Sequence, residues 1–188
     1  MNIVLLAGSI VGSKTRTALE YAERSAINNY SDHQIQLIDL AEHDLQFSDG
    51  RNYLDYEGDT GYVTKAVMDA DIVIIGTPIF QASIPGTLKN LLDLLPQDGF
   101  RDKTVSMLAT AGSSKHFMIP EQHLKPILGY MKAQIVQTYV YIEERNFANK
   151  EIIDDDVRFR INRLVEDTVT HAKAYKQFQK EKEASYGF

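Results

Sequence analysis

The stretch Ile72-Val73-Ile74-Ile75 decides the fold of this chain, because it is apolar at four consecutive positions. A strand that faces water on one side alternates apolar and polar residues, whereas a strand buried on both faces of a parallel sheet does not. The stretch is therefore predicted to be the central strand of a parallel sheet that is covered on both faces.

Similar apolar runs recur on either side of this central stretch. They occupy residues 3–7, 35–40, 105–109 and 135–142. Helix-like segments separate most of these runs, and such an alternation of strands and helices is typical of an α/β protein built from βαβ units.

Four of the helices can be placed from the sequence. They cover residues 15–29, a segment that starts at Ser83-Ile84-Pro85 and ends at Pro96, residues 120–132, and a last helix after the three aspartates at 154–156. Apolar spacing gives the helix that starts at Ser83-Ile84-Pro85 a face of Leu88, Leu91, Leu92 and Leu95. The last helix has an inner stripe of Val157, Ile161, Leu164, Val165, Thr168, Ala172 and Tyr175, and its charged tail, residues 176–188, is predicted to fray.

Residues 43–62 show no clear period and combine three tyrosines with three glycines. We interpret this segment as a long irregular excursion before the helix that leads into the central strand. Long loops in compact domains often act as lids or contact a partner subunit. A surface loop with a few packed tyrosines is the alternative.

Length and composition restrict the class of protein. A chain of 188 residues fits one domain, residues 1–188, with no room for a second. With 44% apolar and 24% charged residues, the chain is expected to be soluble and globular. The net charge of -6 argues against a nucleic-acid partner, because phosphate contacts need a basic surface.

The absence of cysteine excludes disulfides, thiolate catalysis and Cys-ligated zinc. Met1 leads directly into the first apolar run without the features of a secretory signal. The apolar runs are also far shorter than the roughly 20 residues of a membrane-spanning helix. The expected location is therefore the cytoplasm, away from membranes.

Ligands of open parallel sheets bind beyond the carboxyl ends of the strands, where the strand order reverses. Three segments are expected at this edge: residues 8–16, 76–81 and 110–116.

The first segment joins a strand to a helix and contains small residues, hydroxyls and the two cations Lys14 and Arg16. Free N–H groups at a helix start, hydroxyls and positive charge are what a phosphate needs. A simple turn with Ser13 as the helix N-cap is the alternative. The segment is not a nucleoside-triphosphate loop, because Ser13 replaces the second glycine of that motif, and the G-x-G-x-x-G dinucleotide pattern is absent.

The second segment breaks the central strand with Thr77-Pro78 and then presents Phe80. Proline fixes the turn, so the remaining backbone donors point in one direction, as suits a flat heteroaromatic ring with acceptors on its edge. Alternatively, Phe80 packs beneath the following helix. The third segment contains Gly112-Ser113-Ser114, which lets the backbone approach a ligand closely, and His116 is expected to be a surface loop residue.

At these segments the sequence resembles the NADPH-dependent FMN reductases, a flavodoxin-like family that includes azoreductases, quinone or chromate reductases and two-component flavin reductases. The resemblance extends over about residues 2–142. Its most specific part is Thr77-Pro78-Ile79-Phe80-Gln81 followed by Ser83-Ile84-Pro85-Gly86-Thr87-Leu88-Lys89-Asn90 and Asp93. This part is similar to the family pattern of Ser/Thr-Pro, a Tyr, S-x-P-G-x-L-K-N and an acidic residue.

The sequence departs from the family pattern at three places. Ile10-Val11 stands where many relatives have Pro-Arg, and Phe80 replaces the customary tyrosine. Residues 112–116 contain less glycine than azoreductase-like members and are closer to the two-component reductases.

The resemblance implies a flavodoxin-like three-layer sandwich with a five-stranded parallel sheet of order 2-1-3-4-5 and helices on both faces. It implies FMN as cofactor and NADPH or NADH as the hydride donor to N5, with electrons passing to a small-molecule acceptor such as free flavin, a quinone or an azo compound. No catalytic acid–base residue and no metal are implied, because the cofactor carries the chemistry. A homodimer or homotetramer is also expected.

Site residues follow from the same resemblance. The phosphate candidates are Ser9, Ser13, Lys14, Thr15 and Arg16; the ring is bordered by Pro78, Ile79, Phe80 and Gln81; and the pyrimidine side is bordered by Gly112, Ser113 and Ser114. The main alternative is a non-enzymatic electron carrier of flavodoxin type, whose phosphate loop usually reads T/S-x-T-G-x-T. A flavin-free scaffold or nucleotide-sensing module is a third possibility.

Overall fold

The computed structural model describes residues 1–185 and contains a parallel sheet flanked by helices. Its strands are β1 (Asn2–Ala7), β2 (Gln34–Asp39), β3 (Ile72–Pro78), β4 (Thr104–Ala111), β5 (Gln134–Ile135) and β6 (Val140–Glu143). The order is β2-β1-β3-β4-β5, with β6 also paired to β4. The predicted flavodoxin-like order of 2-1-3-4-5 is confirmed, and β3 is the central strand with all seven residues buried.

The fifth position of the sheet differs from the predicted continuous strand at residues 135–142. Val105 pairs with Ile135 and Leu108 pairs with Val140, so residues 106–107 of β4 face residues 136–139. The two extra residues bulge out of the ladder. An edge strand tolerates such a bulge because no strand on its outer side fixes the register.

Five helices cover the two faces of the sheet. They are α1 (Lys14–Asn29), α2 (Gly58–Asp69), α3 (Gly86–Leu94), α4 (Lys125–Tyr130) and α5 (Asp155–Ser185). Ile3 and Leu5 of β1 pack with α1 and α5, whereas Val4 and Leu6 pack with α2, α3 and α4. Alternate residues of one strand thus serve both cores, which confirms the three-layer arrangement.

Several helix boundaries differ from the predictions. α3 begins at Gly86, because Ser83 forms a tight turn and Pro85 has an extended ψ of 146°. Residues 120–124 form a π-helical turn before α4. Pro126 cannot donate a backbone hydrogen bond to the turn before it, which favours this wider geometry.

α5 begins at Asp155, inside the acidic run. The Asp154 carboxylate accepts the N–H groups of Asp156 (2.9 Å) and Val157 (3.2 Å), so it serves as the N-cap. The predicted inner stripe is buried except for Tyr175, which is half-buried and donates its hydroxyl to Asp102 at 2.9 Å. The predicted fraying tail is helical to Ser185, and its residues 186–188 lie outside the described chain.

The irregular excursion is shorter than predicted, because α2 already begins at Gly58. Asn90 of α3 holds it at two points, accepting the N–H of Ser48 (3.0 Å) and donating to the carbonyl of Gln46 (2.9 Å). Tyr56 is buried, and its hydroxyl donates to Asp49 at 2.8 Å. The excursion is therefore packed against α3.

Two glycines let helices approach the carboxyl ends of the central strands. A Cβ on Gly76 of β3 would lie 2.7 Å from Cδ1 of Leu19 in α1, and a Cβ on Gly8 would lie 3.0 Å from Cδ2 of Leu88 in α3. Both helices consequently start close to this edge. None of the helices within residues 1–185 is both long and apolar enough to cross a lipid bilayer.

Candidate functional site

A cavity of about 500 Å³ lies at the carboxyl ends of β1, β3 and β4. This is where the strand order reverses, and the volume falls within the roughly 300–1,000 Å³ of small-molecule sites. The cavity is lined by Val11, Gly12, Ser13, Lys14, Thr15, Pro78, Ile79, Phe80, Thr110, Ala111, Gly112 and Glu144. A larger groove of about 790 Å³ lies between α1 and α5, away from the carboxyl ends of the strands.

The start of α1 presents unused backbone donors to this cavity. The first helical hydrogen bond runs from Thr17 N–H to the carbonyl of Ser13, so the N–H groups of residues 14–16 have no partner within the helix. Ser13 occupies the N-cap position, but its side chain makes no capping hydrogen bond, and its ψ of -15° is not the extended value that capping requires. The N-cap alternative is therefore wrong as a reason for Ser13. The helix start can accept an anion.

The two cations of the first segment have different surroundings. Lys14 lines the cavity, and its ammonium pairs with the Glu144 carboxylate. Arg16 points elsewhere, and its guanidinium binds Glu42, Glu20 and Asp39. These carboxylates, Glu42 foremost, raise the pKa of Arg16 further above its ordinary value.

Ser9 is buried and shapes the first segment without lining the cavity. Its hydroxyl donates to the Val11 carbonyl at 2.9 Å and accepts the Val11 N–H at 3.2 Å. Gly12 follows with a φ of +84°, a left-handed value that favours glycine. Together these contacts turn the chain back toward the start of α1.

The second segment lines one side of the cavity, and hydrogen bonds fix its backbone next to β4. Ile79 N–H donates to the Thr110 carbonyl at 3.1 Å, and the buried hydroxyls of Thr15 and Thr110 are 2.7 Å apart. Phe80 lines the cavity with 40% of its surface exposed, so the alternative that it packs beneath α3 is wrong.

Phe80 is held by a tight turn. Phe80 and Ser83 exchange two backbone hydrogen bonds of 2.9 Å, and the intervening Gln81 and Ala82 have φ values of +48° and +57°. Two positive φ values at the centre of a turn are typical of the type I′ geometry, which usually contains Asn or Gly. Gln81 itself does not line the cavity.

Of the third segment only Gly112 among the three predicted residues lines the cavity, together with Thr110 and Ala111. Ser113 and Ser114 lie farther along, where the Tyr141 hydroxyl donates to the Ser113 carbonyl at 2.5 Å. A Cβ on Gly112 would meet only Oε2 of Glu144, at 4.0 Å, so this backbone faces open space.

The structure thus brings seven predicted residues to one cavity: Ser13, Lys14, Thr15, Pro78, Ile79, Phe80 and Gly112. Ser9, Arg16, Gln81, Ser113 and Ser114 do not line it. Glu144 was missed. It follows the last residue of β6, so the rule that sites form at strand ends would have found it had that end been set at Glu143.

Comparisons with known proteins identify the family. Residues 1–146 match the family described as NADPH-dependent FMN reductase. An NAD(P)H-dependent FAD/FMN reductase from Geobacillus thermodenitrificans (strain NG80-2) is 36% identical over 170 residues, covering 90% of this chain and 92% of the relative. An FMN reductase (NADPH) from Escherichia coli (strain K12) is 32% identical, covering 77% of this chain and 74% of the relative.

A solved structure gives the same result. The apo form of the NADH:FMN oxidoreductase EMOB has a TM-score of 0.75 and 28% sequence identity, covering 90% of this chain and 89% of that chain. The family match covers residues 1–146 of the 188 and includes every residue that lines the cavity. This protein therefore belongs to the NADPH-dependent FMN reductase family.

Proposed function

We propose that the cavity binds FMN and that the protein reduces it with NADPH or NADH, passing the electrons to a small-molecule acceptor such as free flavin, a quinone or an azo compound. The observation that carries this proposal is the uncapped start of α1, which shares one cavity with Lys14, Phe80 and the fixed backbone at Pro78. Membership in an enzyme family favours this proposal over the electron carrier.

The donor set fits FMN at both of its ends. A phosphate monoester carries about -1.5 to -2 charges, and the N–H groups of residues 14–16 and the Lys14 ammonium meet this requirement. At the other end, Pro78, Ile79 and Gly112 offer backbone close to a flat ring edge. The cavity volume of about 500 Å³ is also adequate.

We assign the residue roles accordingly. Ser13, Lys14 and Thr15 hold the phosphate, Ser9 shapes their loop, and Arg16 is left out because three carboxylates already bind it. Pro78, Ile79 and Phe80 border the ring, and Gly112 lies on the pyrimidine side. Gln81, Ser113 and Ser114 support these segments from outside the cavity.

When bound, FMN supplies the centre that accepts a hydride from the nicotinamide and gives electrons to the acceptor. The chain's own contribution is orientation. Within residues 1–185, the only titratable side chains that line the cavity are Lys14 and Glu144, and they pair with each other. This supports a site without a catalytic acid or base.

We also propose a cytoplasmic homodimer or homotetramer in which each chain forms one FMN-binding domain. Three exposed apolar side chains belong to or follow the segments that form the cavity: Val11 (59% exposed), Phe117 (50%) and Met118 (48%). A second apolar groove lies between α3 and α4 and includes Leu92 and Ile127. Surfaces of this kind favour association of identical subunits.

The function is tested by mixing the purified protein with FMN and NADPH, or with NADH, and following oxidation of the nicotinamide. We expect rapid oxidation with FMN as the only added acceptor. A protein that binds FMN but oxidises neither nicotinamide would be a carrier. A protein that shows no flavin absorbance after incubation with FMN and gel filtration, and no oxidation, would exclude both.

A further inference from the structure

Glu144 is held at the rim of the proposed phosphate site by the end of the sheet. β6 pairs with β4 so that Glu143 lies beside Ala111, which places Glu144 next to Gly112. The following turn is fixed, since Asn146 accepts the Glu143 N–H at 2.8 Å and donates to Asp154 at 2.7 Å. The position of the Glu144 backbone is therefore set by the fold.

The Glu144 carboxylate forms an ion pair with Lys14, the one cation that lines the cavity within residues 1–185. The hydrogen bond and charge of the Lys14 ammonium hold the pKa of Glu144 below its ordinary value. The two side chains are 64% and 43% exposed, respectively. Exposed ion pairs of this kind are weak, so a competing anion can break the pair.

We infer that Glu144 competes with the phosphate of FMN for Lys14, and that it thereby weakens FMN binding and favours its exchange. This inference rests on the proposed function. A phosphate that enters the start of α1 must share Lys14 with a carboxylate and must lie close to a like charge. Riboflavin has the same ring without the phosphate and meets neither cost. Glu144 therefore weakens the binding of FMN but not that of riboflavin.

The test compares the dissociation constants of FMN and riboflavin for the wild type, Glu144→Gln and Asp69→Asn at one ionic strength. We expect Glu144→Gln to tighten FMN binding by about two- to fivefold and to leave riboflavin unchanged. Asp69 is exposed at the end of α2, away from the cavity, and pairs with Lys65, so Asp69→Asn changes the net charge equally and should change neither constant.

Three results would overturn the inference. Weaker FMN binding in Glu144→Gln would mean that Glu144 positions Lys14 for the phosphate. An equal change for FMN and riboflavin would mean that Glu144 acts on the ring or on the fold. An equal gain in Asp69→Asn would trace the effect to overall charge.

The Glu144→Gln substitution made in the Lys14→Met variant separates competition for Lys14 from simple repulsion between Glu144 and the phosphate. In Lys14→Met the ammonium is gone, so adding Glu144→Gln should improve FMN binding by less than it does in the wild type. If the gain in FMN affinity were as large as in the wild type, Glu144 would act only by repelling the phosphate, and the proposed competition for Lys14 would be wrong. The proposed function fails separately: a wild type that binds neither FMN nor riboflavin overturns both ideas, whereas a wild type that reduces FMN with no effect of Glu144 overturns only this one.

Discussion

At the residue scale, Phe80 is the side chain whose contribution is easiest to isolate, because it lines the cavity from a turn and is not part of the core. We expect Phe80→Ala to weaken FMN binding by about two- to tenfold, the equivalent of the roughly 0.5–1.5 kcal/mol of an aromatic contact. Phe80→Tyr keeps the ring and should bind FMN within about a factor of two of the wild type. Titration of both variants with FMN checks this.

Wild-type affinity and turnover in Phe80→Ala would show that the ring makes no contact with the flavin. A loss of FMN affinity in Phe80→Tyr as large as in Phe80→Ala would show that the site has no room for the added hydroxyl, and that the ring face alone does not determine FMN binding.

The two cations of the first segment show what the sequence can and cannot decide at this scale. The pattern of residues 8–16 placed Lys14 and Arg16 in one anion-binding segment, and nothing in that segment separates them. The structure does, because Arg16 reaches Asp39, the last residue of the next strand along the chain, and Glu42 just after it. The pairing of Glu144 with Lys14 was hidden for the same reason, since the two residues are 130 positions apart in the sequence.

At the element scale, the position of α1 depends on Gly76. A Cβ there would lie 2.7 Å from Leu19 and 3.0 Å from Cγ2 of Thr15, so the helix that carries the proposed phosphate site has to move. We expect Gly76→Ala to lower the free energy of unfolding by about 1–3 kcal/mol, as overpacking does, and to weaken FMN binding. Urea denaturation and FMN titration measure the two effects.

Gly129 provides the matched control, because a Cβ at this position in α4 meets no atom within 4 Å. Gly129→Ala should be neutral or should stabilise the protein by up to about 1 kcal/mol, with FMN binding unchanged. Equal stability of Gly76→Ala and the wild type would mean that α1 is not held tightly against β3.

Strand order and helix positions were predictable because β3 and its neighbours carry strong apolar patterns. The bulge at residues 136–139 was not, since Val136 and Tyr139 continue the apolar pattern through it. The turn at Gln81 and Ala82 was equally hidden: its left-handed φ values lack the glycine or asparagine that signals such a turn. In both places tertiary contacts overrode the local preference.

At the scale of the whole molecule, Asp71 joins three elements at the end of the sheet opposite the cavity. Its carboxylate accepts the N–H of Asn2 at 2.7 Å and the ammonium of Lys176 at 2.6 Å, which joins β1 and α5 to the start of β3. Burial alone would raise the pKa of Asp71, but Lys176 and the Asn2 N–H outweigh it and lower the pKa below the ordinary value of 3.8.

We expect Asp71→Asn to lower the free energy of unfolding by about 1–2 kcal/mol at neutral pH, because hydrogen bonds to a charged group are lost at a partly exposed site. A depressed pKa in the folded state stabilises the protein above the unfolded pKa, and this contribution disappears as the pH falls through the folded value. The difference between variant and wild type should therefore stay constant from about pH 7 to about pH 5 and shrink as the pH falls below about 4.

Urea denaturation at several pH values measures this difference, with Asp69→Asn as the control. Asp69 is exposed and forms an ion pair with Lys65 of its own helix, so its variant should stay close to the wild type throughout. A constant difference for Asp71→Asn across the pH range would contradict the role of its charge.

The oligomeric state is the last expectation at this scale. We expect a dimer or tetramer in sedimentation equilibrium at micromolar concentration, with either the exposed Val11, Phe117 and Met118 or the groove between α3 and α4 in the interface. Met118→Asp should shift the protein toward monomers if the first surface is used, and Ile127→Asp if the second is. A wild-type monomer of 21.3 kDa would contradict the proposal.

The broken fifth strand also makes the two edges of the sheet unequal in their tendency to aggregate. A foreign strand needs an unbroken row of unpaired backbone groups to template on. The edge formed by β5 and β6 offers only two and four residues on either side of a bulge, whereas β2 offers six in succession. Cross-β growth in heated, concentrated samples is therefore expected to begin along β2, where a lysine in place of the exposed Gln34 would be the simplest way to block it.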